Sequence, residues 1–362
     1  MSNSFKQWLE NVFHMPTRLI SVLAAVHDIQ KKVHEIDAWQ KNYDWTFKER
    51  LQEIEDAIHN IPECPRPDYT PIHQHIDTLT TLTGTIRAAQ NNFAPDCNLA
   101  QAEFKVFSQF GDDGIIDYLI SKLNIAEQRF VEFGVESYQE SNTRFLLLHR
   151  NWSGLIMDGG SENIEFIKRQ EMYWRHDLTA VCAFIDVDNI NKLIEENGFG
   201  GRIGLLSVDI DGNDYWVWRA INVCNPAIVV SEYNSTFGPE ACVTVPYAPD
   251  FQRTKAHYSN LYWGASLAAL HKLAKEKGYS FVGCNNAGNN AYFVRNDLMA
   301  AAGMKALTPR EGFVAARFRE SRDSDGTLTF APPEQRKDII GDCQVFDVGD
   351  LKMVPVKQLP WQ

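Results

Sequence analysis

The chain has 362 residues, 44% of them hydrophobic and 23% charged, the balance of a soluble globular protein with a sizeable core and room for an appendage. A formal net charge of −12 argues against general nucleic-acid binding, which needs a basic face. The longest candidate apolar run, residues 19–26, is followed directly by His27 and Asp28, so neither a membrane span nor a signal peptide is expected.

Near the N-terminus the apolar residues follow a three-four spacing: Val22, Val26, Ile29, Val33, Ile36, Tyr43, Phe47, Leu51, Ile54, Ile58 and Ile61. Gln40 interrupts the series without changing its phase. A heptad seam of about five repeats predicts a coiled coil. Pro62, Pro65, Pro67 and Pro71 break it, and a weaker seam follows at Ile72, Ile76, Leu79, Leu82 and Ile86. Residues 1–95 therefore read as a helical oligomerisation region joining copies of the chain. The plainer alternative is a helical hairpin folded back on its own domain. The seven cysteines (Cys64, Cys97, Cys182, Cys224, Cys242, Cys284 and Cys343) are scattered and include no C-x-x-C pair. A reduced, cytoplasmic protein without a thiolate zinc site is expected.

A strand–helix alternation begins near residue 102 and runs to about 298. Ser108-Gln109-Phe110-Gly111-Asp112-Asp113-Gly114 leads into an apolar helix, and residues 129–136, R-F-V-E-F-G-V-E, read as a strand ending in Glu132 and Gly134. Ser141 or Asn142 is available to cap the helix that follows. The next strand, residues 152–157, ends in Asp158, 24 residues beyond Gly134. An acid at that interval suits the ribose hydroxyls of an adenosine ligand. A third strand, 178–185, ends at Asp186. The fourth, Ile203-Gly204-Leu205-Leu206-Ser207-Val208, is apolar enough to be buried on both faces and ends in Asp209-Ile210-Asp211-Gly212. The fifth, 227–231, ends at Glu232, with Asn234 two residues on. A helix over 265–277 stops at Gly278. Strands at 279–284 and 290–295, joined by an Asn/Gly-rich turn, predict an antiparallel edge. Acids at successive strand ends lie where open α/β sheets bind ligands. Asp211 and Asp214 have a plainer use, capping the helix after Gly212.

This layout resembles the class I S-adenosylmethionine-dependent methyltransferase fold. Val131-Glu132-Phe133-Gly134 and the D-x-D-G strand end at 209–212 are similar to the FkbM-like methyltransferases. The resemblance covers about half the chain, roughly residues 107–297. It implies an α/β, Rossmann-like, seven-stranded sheet, mostly parallel with one antiparallel strand. It also implies a methyltransferase domain over 102–298 and a C-terminal extension over 299–362. By resemblance, Glu132 and Gly134 lie along the methionine part of S-adenosylmethionine, Asp158 on its ribose and Asp186 near its adenine. The chain departs from the pattern in three places. Glu136, Ser137 and Tyr138 stand where glycines are usual, Asp211 replaces a Glu, and the insertion 235–264 has no counterpart.

Read as an enzyme, the chain is an O-methyltransferase acting on a sugar or glycan hydroxyl, as in polysaccharide or glycolipid biosynthesis. Asp209, Asp211, Glu232 and Asn234 would offer hard oxygen ligands for Mg²⁺ or Mn²⁺, which could hold the acceptor oxygen. His257, in the insertion, is the candidate general base, with Asp209 the other catalytic candidate; a surface or core histidine is the commoner case. Two readings compete. One is a nucleotide-sugar glycosyltransferase using Asp209-Ile210-Asp211 as a D-x-D motif on Mn²⁺. The other is a non-catalytic coiled-coil partner, favoured by the missing glycines after Gly134. In the tail, Arg310, Arg317, Arg319 and Arg322 read as a solvated or interdomain face.

Overall fold

Adjacent residues of the central strands feed two different cores. Phe130, Ile156 and Leu205 enter one, while Val131, Leu155 and Leu206 enter the other. Period-two alternation with apolar side chains on both faces requires a sheet covered on both sides. The computed structural model describes residues 28, 31–32, 70–92 and 98–360. The chain divides into two units, Met1–Tyr69 and Thr70–Gln362, and the second holds every described strand. The heptad seam between Val22 and Ile61 lies outside the described residues.

The strands are β1 (Arg129–Phe133), β2 (Ser153–Asp158), β3 (Leu178–Cys182), β4 (Gly201–Val208), β5 (Cys224–Glu232), β6 (Val243–Thr244), β7 (Tyr279–Cys284), β8 (Asn290–Arg295), β9 (Gln344–Asp347) and β10 (Lys352–Pro355). Seven of them form one sheet in the order β3-β2-β1-β4-β5-β8-β7. Strands β1 to β5 pair in parallel, and β8 runs antiparallel to both β5 and β7. This is the Rossmann-like, seven-stranded sheet with one reversed strand implied by the methyltransferase resemblance. One expectation changes. The reversed strand lies inside the sheet, and the edge strand β7 runs with the majority, because the hairpin inserts its second strand next to β5.

The helices Asp112–Leu123 and Ser161–Arg169 pack on one face, and Ile190–Glu196, Asp214–Ala220 and Leu267–Glu276 on the other. The first is fastened to the reversed strand by Asp112, which is wholly buried at its N-terminus. Its carboxylate accepts hydrogen bonds from Asn285 Nδ2 (3.0 Å), Asn290 Nδ2 (3.0 Å) and the Tyr292 hydroxyl. The insertion and the C-terminal segment build a structure together. Strands β10, β9 and β6 form a small antiparallel sheet over a core that includes Phe237, Val243, Leu261, Ile340, Val345 and Val356. No described helix is long and apolar enough to cross a membrane.

Replacing Asp112 by Ala removes the acceptor shared by three buried donors. Each buried donor left unpaired costs about 1–3 kcal/mol. A stability loss of about 3 kcal/mol or more is expected in chemical denaturation; a loss below 1 kcal/mol would show that the three donors find other partners.

Candidate functional site

Register brings the first and fourth strand ends together. Glu132 pairs with Ser207 and Phe133 with Val208, so Gly134 and Asp209 are the next residues on neighbouring strands. Gly134 has φ +78°, and a Cβ there would fall 1.6 Å from the Asp209 carbonyl oxygen. Only glycine fits that turn. The following loop has no second glycine, and Glu136 (φ +45°) and Tyr138 (φ +58°) take left-handed backbone at a cost of roughly 1–2 kcal/mol each. Two contacts hold them there. Glu136 N donates to Asp158 Oδ2 at 2.8 Å, and the wholly buried Tyr138 hydroxyl bonds Thr143 Oγ1 at 2.9 Å.

Several of the acids read from the sequence serve the backbone. Glu132, 4% exposed, accepts from Ser141 Oγ (2.6 Å), Asn142 N (2.9 Å), Thr143 N (3.2 Å) and Thr143 Oγ1. It therefore ties Asn142 and Thr143, which lead into the Arg144–Arg150 helix, to β1; the N-cap position is Thr143, not Ser141 or Asn142 as expected. Burial raises its pKa, and those four donors oppose the rise. Asp158 accepts from Glu136 N, Gly160 N (2.7 Å) and Asn163 Nδ2 (3.0 Å), which leaves about one of its four acceptor positions for a ligand. Asp186 lies four residues beyond the end of β3, in a turn, where its Oδ1 accepts from Asp188 N and Asn189 N. Asp214 accepts from Ile210 N and Gly212 N, both at 2.9 Å, and so closes the D-x-D-G turn itself. Asp214 thus braces the turn before the helix, whose N-cap is Asn213, and Asp211 turns to Arg253.

Asp209 and Glu232 are used differently. They follow the paired residues Val208 and Ser231, so they stand side by side at the ends of β4 and β5. Burial pushes Glu232 well above the usual carboxylate range, and the charge of Asp209 pushes it further. Asp209 is raised by burial first and then by Asp211 and Asp214. Glu232 Oε2 is buried with no hydrogen-bond partner among the described residues. The cation facing the pair is Arg253, whose attraction lowers both pKa values. Arg253 bonds Asp211 Oδ1 (2.9 Å), Glu320 Oε2 (3.4 Å) and Asn260 O (2.9 Å), and its guanidinium lies 4.8 Å from the Trp263 ring centroid.

The three expected metal ligands are held differently. Asp211 points to Arg253 and is more than half exposed, whereas Glu232 is buried and Asp209 half-buried. Among the described residues no group of three or more His, Cys, Asp or Glu could hold an ion. Asn234 is also engaged: its Oδ1 accepts from Thr236 N at 3.0 Å, and its Nδ2 donates to Leu261 O and Trp263 O. Asp209 and Asp211 both act on Glu232 through their charge, so the three expected ligands are near neighbours, with Asp211 engaged by Arg253.

His257 is engaged by a residue two places on. Its Nδ1 lies 2.8 Å from Ser259 Oγ and accepts from Ser259 N at 3.3 Å. Ser259 Oγ itself accepts from Leu261 N, so its hydroxyl proton points to the imidazole. Ser259 therefore engages Nδ1 from both its amide and its hydroxyl.

Residues that no sequence motif marked complete the site. The Tyr233 hydroxyl donates to Val314 O (2.6 Å), Ala316 N to Ser235 Oγ (2.9 Å) and Arg317 N to Ala287 O (2.9 Å). Phe318 stacks on Phe110 at 6.0 Å, and Glu320 reaches Arg253 and Asn260. Residues 313–320 thus run past the carboxyl end of β5 and the β7–β8 turn. Arg253 and Glu320 lie in the two segments without a family counterpart, so only the folded chain could reveal them.

No family model and no curated protein matches the chain. Among solved structures it is similar to the N-terminal domain of EvdMO1 with SAH bound, at 13% identity, covering 58% of this chain and 93% of that one with a TM-score of 0.36. It is also similar to the O-methyltransferase from Bacillus cereus in complex with SAH (12% identity, 60% and 91% covered, TM-score 0.34). A third is an S-adenosylmethionine-dependent methyltransferase from Clostridium acetobutylicum (9% identity, 51% and 90% covered, TM-score 0.34). These likenesses are too distant to assign an activity.

The buried acids set a pH dependence. Burial raises Asp113 and Asp214 to about 6, and raises Asp112, Glu132, Asp209 and Glu232 as well. A raised carboxylate contributes stability that is full below its unfolded pKa of about 4 and lost as pH rises through the folded value. Burial lowers His149, His176, His257 and His271, which removes stability as pH falls below about 6.5. Those rings are only partly buried, so the acids dominate. The melting temperature should be higher at pH near 5 than near 7; a rise across that interval would contradict the assignment.

Proposed function

We propose that the chain is an S-adenosylmethionine-dependent methyltransferase that methylates a hydroxyl, with a sugar or glycan as the acceptor. The observation that carries the reading is the pairing of two strand ends. Gly134, the one residue type its turn admits, ends β1 at its boundary with β4, where the strand order reverses, and Asp158 ends the neighbouring strand β2 and holds the loop that follows Gly134. Open α/β sheets bind their ligands at such a switch point.

The residues there fit the cofactor. Gly134 leaves the backbone bare for close approach, and Asp158 retains an acceptor position for a ribose hydroxyl. Phe184, 52% exposed beside Gly159, offers an aromatic face for a purine. Glu132 and Asp186 act one step back, by shaping the turns that would surround the cofactor. Once bound, the cofactor supplies a methyl group already made electrophilic by its sulfonium. The protein's work is to align the acceptor and to receive one proton.

The Asp209–Glu232 pair is placed for that proton. A buried carboxylate beside a half-buried one shares negative charge poorly, so the pair takes up a proton readily. As the acceptor oxygen bonds to the methyl carbon and the sulfur–carbon bond breaks, the hydroxyl proton passes to this pair. Arg253 keeps the remaining charge tolerable. No metal enters the scheme.

Titration calorimetry with S-adenosylmethionine and its demethylated product tests the first half. Micromolar binding is expected, weakened by roughly 1.5–3 kcal/mol in Asp158→Ala, the worth of hydrogen bonds to a charged acceptor. Absence of heat with either ligand would overturn the enzyme reading. Methyl transfer to a panel of sugars and glycans, with and without EDTA, tests the second. Asp209→Asn should abolish turnover while leaving cofactor affinity within about twofold, His257→Ala should retain turnover, and EDTA should leave it intact. Loss of activity in EDTA would return a metal to the site.

A further inference from the structure

The helix Thr70–Asn92 is docked on its domain with its apolar side outward. Its inner face is small and polar. At Gly84 a Cβ would fall 2.6 Å from Val106 Cγ2 and 2.9 Å from Phe145 Cε2, and Ala88 is 1% exposed. Asn91 Nδ2 donates to Ala102 O at 2.8 Å, and Asp77 pairs with Arg144 at 2.6 Å. The outer face carries Ile76, Leu79, Leu82 and Ile86, which are 52%, 64%, 56% and 54% exposed. Their spacing of three, three and four places them on one side of the helix. A surface helix ordinarily turns such a stripe to its own core, and a contiguous exposed one marks an interaction surface.

We propose that this stripe binds a second copy of the chain, stripe against stripe across a twofold axis. Charge selects the occupant. Each copy carries a formal net charge of −12, so two copies repel wherever acids dominate their surfaces. On this helix the only Asp, Glu, Lys or Arg residues are Asp77 and Arg87. Asp77 is held by Arg144, and Arg87 Nη2 donates to Gln101 O at 3.1 Å. The exposed residues flanking the stripe include Thr78, Thr83 and Gln90, which carry no charge. The strip is also self-matching. In an antiparallel pair centred near Thr81, Ile76 meets the partner's Ile86 and Leu79 meets the partner's Leu82, which is what an isologous contact needs. Its area, a few hundred square ångströms per copy, falls short of the roughly 800 Å² per partner of a standard stable interface. The dimer it makes is therefore reversible.

Sedimentation velocity and light scattering on the full chain, from low to high micromolar concentration, test this. The wild type should shift from one to two copies as concentration rises. Leu79→Lys with Leu82→Lys should remain a single copy throughout, with unchanged circular dichroism, melting temperature and binding of S-adenosylmethionine. The milder pair Leu79→Gln and Leu82→Gln should weaken association at least tenfold and serves if the lysines disturb the helix. A wild-type chain that stays monomeric at every concentration overturns the proposal. So does an undiminished dimer in the folded lysine or glutamine variant, which would place self-association elsewhere.

Discussion

At the end of β1 the backbone and the Asp209 carbonyl pass so close that no side-chain carbon fits between them. That approach draws β1 and β4 together at the middle of the sheet, and the loops on either side must accommodate it. The loop after β1 does so with left-handed backbone at Glu136 and Tyr138, held by Asp158 and Thr143. The turn after β4 does so with left-handed backbone at Asp211 (φ +54°), closed by Asp214. Strain of this kind persists only where surrounding contacts over-determine it. Here those contacts are mostly carboxylates accepting from backbone N–H groups.

This explains why acids recur at the strand ends without all being ligands. Glu132, Asp158, Asp186 and Asp214 each accept two or more hydrogen bonds from neighbouring turns. Asp209 and Glu232 are left over, side by side, with Asp209 half-buried, Glu232 buried and an oxygen of Glu232 unpartnered among the described residues. A buried polar group of that sort is costly, and it persists where chemistry uses it. The site is therefore marked by what its acids do not bond.

Much of the fold was legible because the strands are apolar on both faces and end at glycines and acids. The run from Ile203 to Val208 is wholly buried in β4, and the turn before Asn290 does join a hairpin. The order of the last two strands was not legible, since periodicity carries no information about which strand inserts beside β5. The candidate site was readable as a set of residues and not as a set of roles. Sequence spacing cannot tell a carboxylate facing a ligand from one facing a backbone amide two residues away, as at Asp186 and Asp214. Nor could it find Arg253 and Glu320, which lie far apart in sequence and meet only because the insertion and the tail share a core.

That shared core governs the order in which the protein can be made. Val243 pairs with Asp347 across the small sheet, so a ribosome must release more than a hundred further residues before β6 finds its partner. Closing so long a loop is entropically slow, and non-local strand pairing follows local structure. The parallel half of the large sheet, with Gly134 and Asp158, can assemble from residues already emerged, because domains condense from the N-terminal side during synthesis. Arg253, which faces Asp209 and Glu232, has Asp211, Asn260 and Trp263 within the earlier chain, and Glu320 reaches it only when the tail arrives. A nascent chain thus acquires its switch-point crevice early, and the surroundings of Arg253 are completed among the last of its contacts.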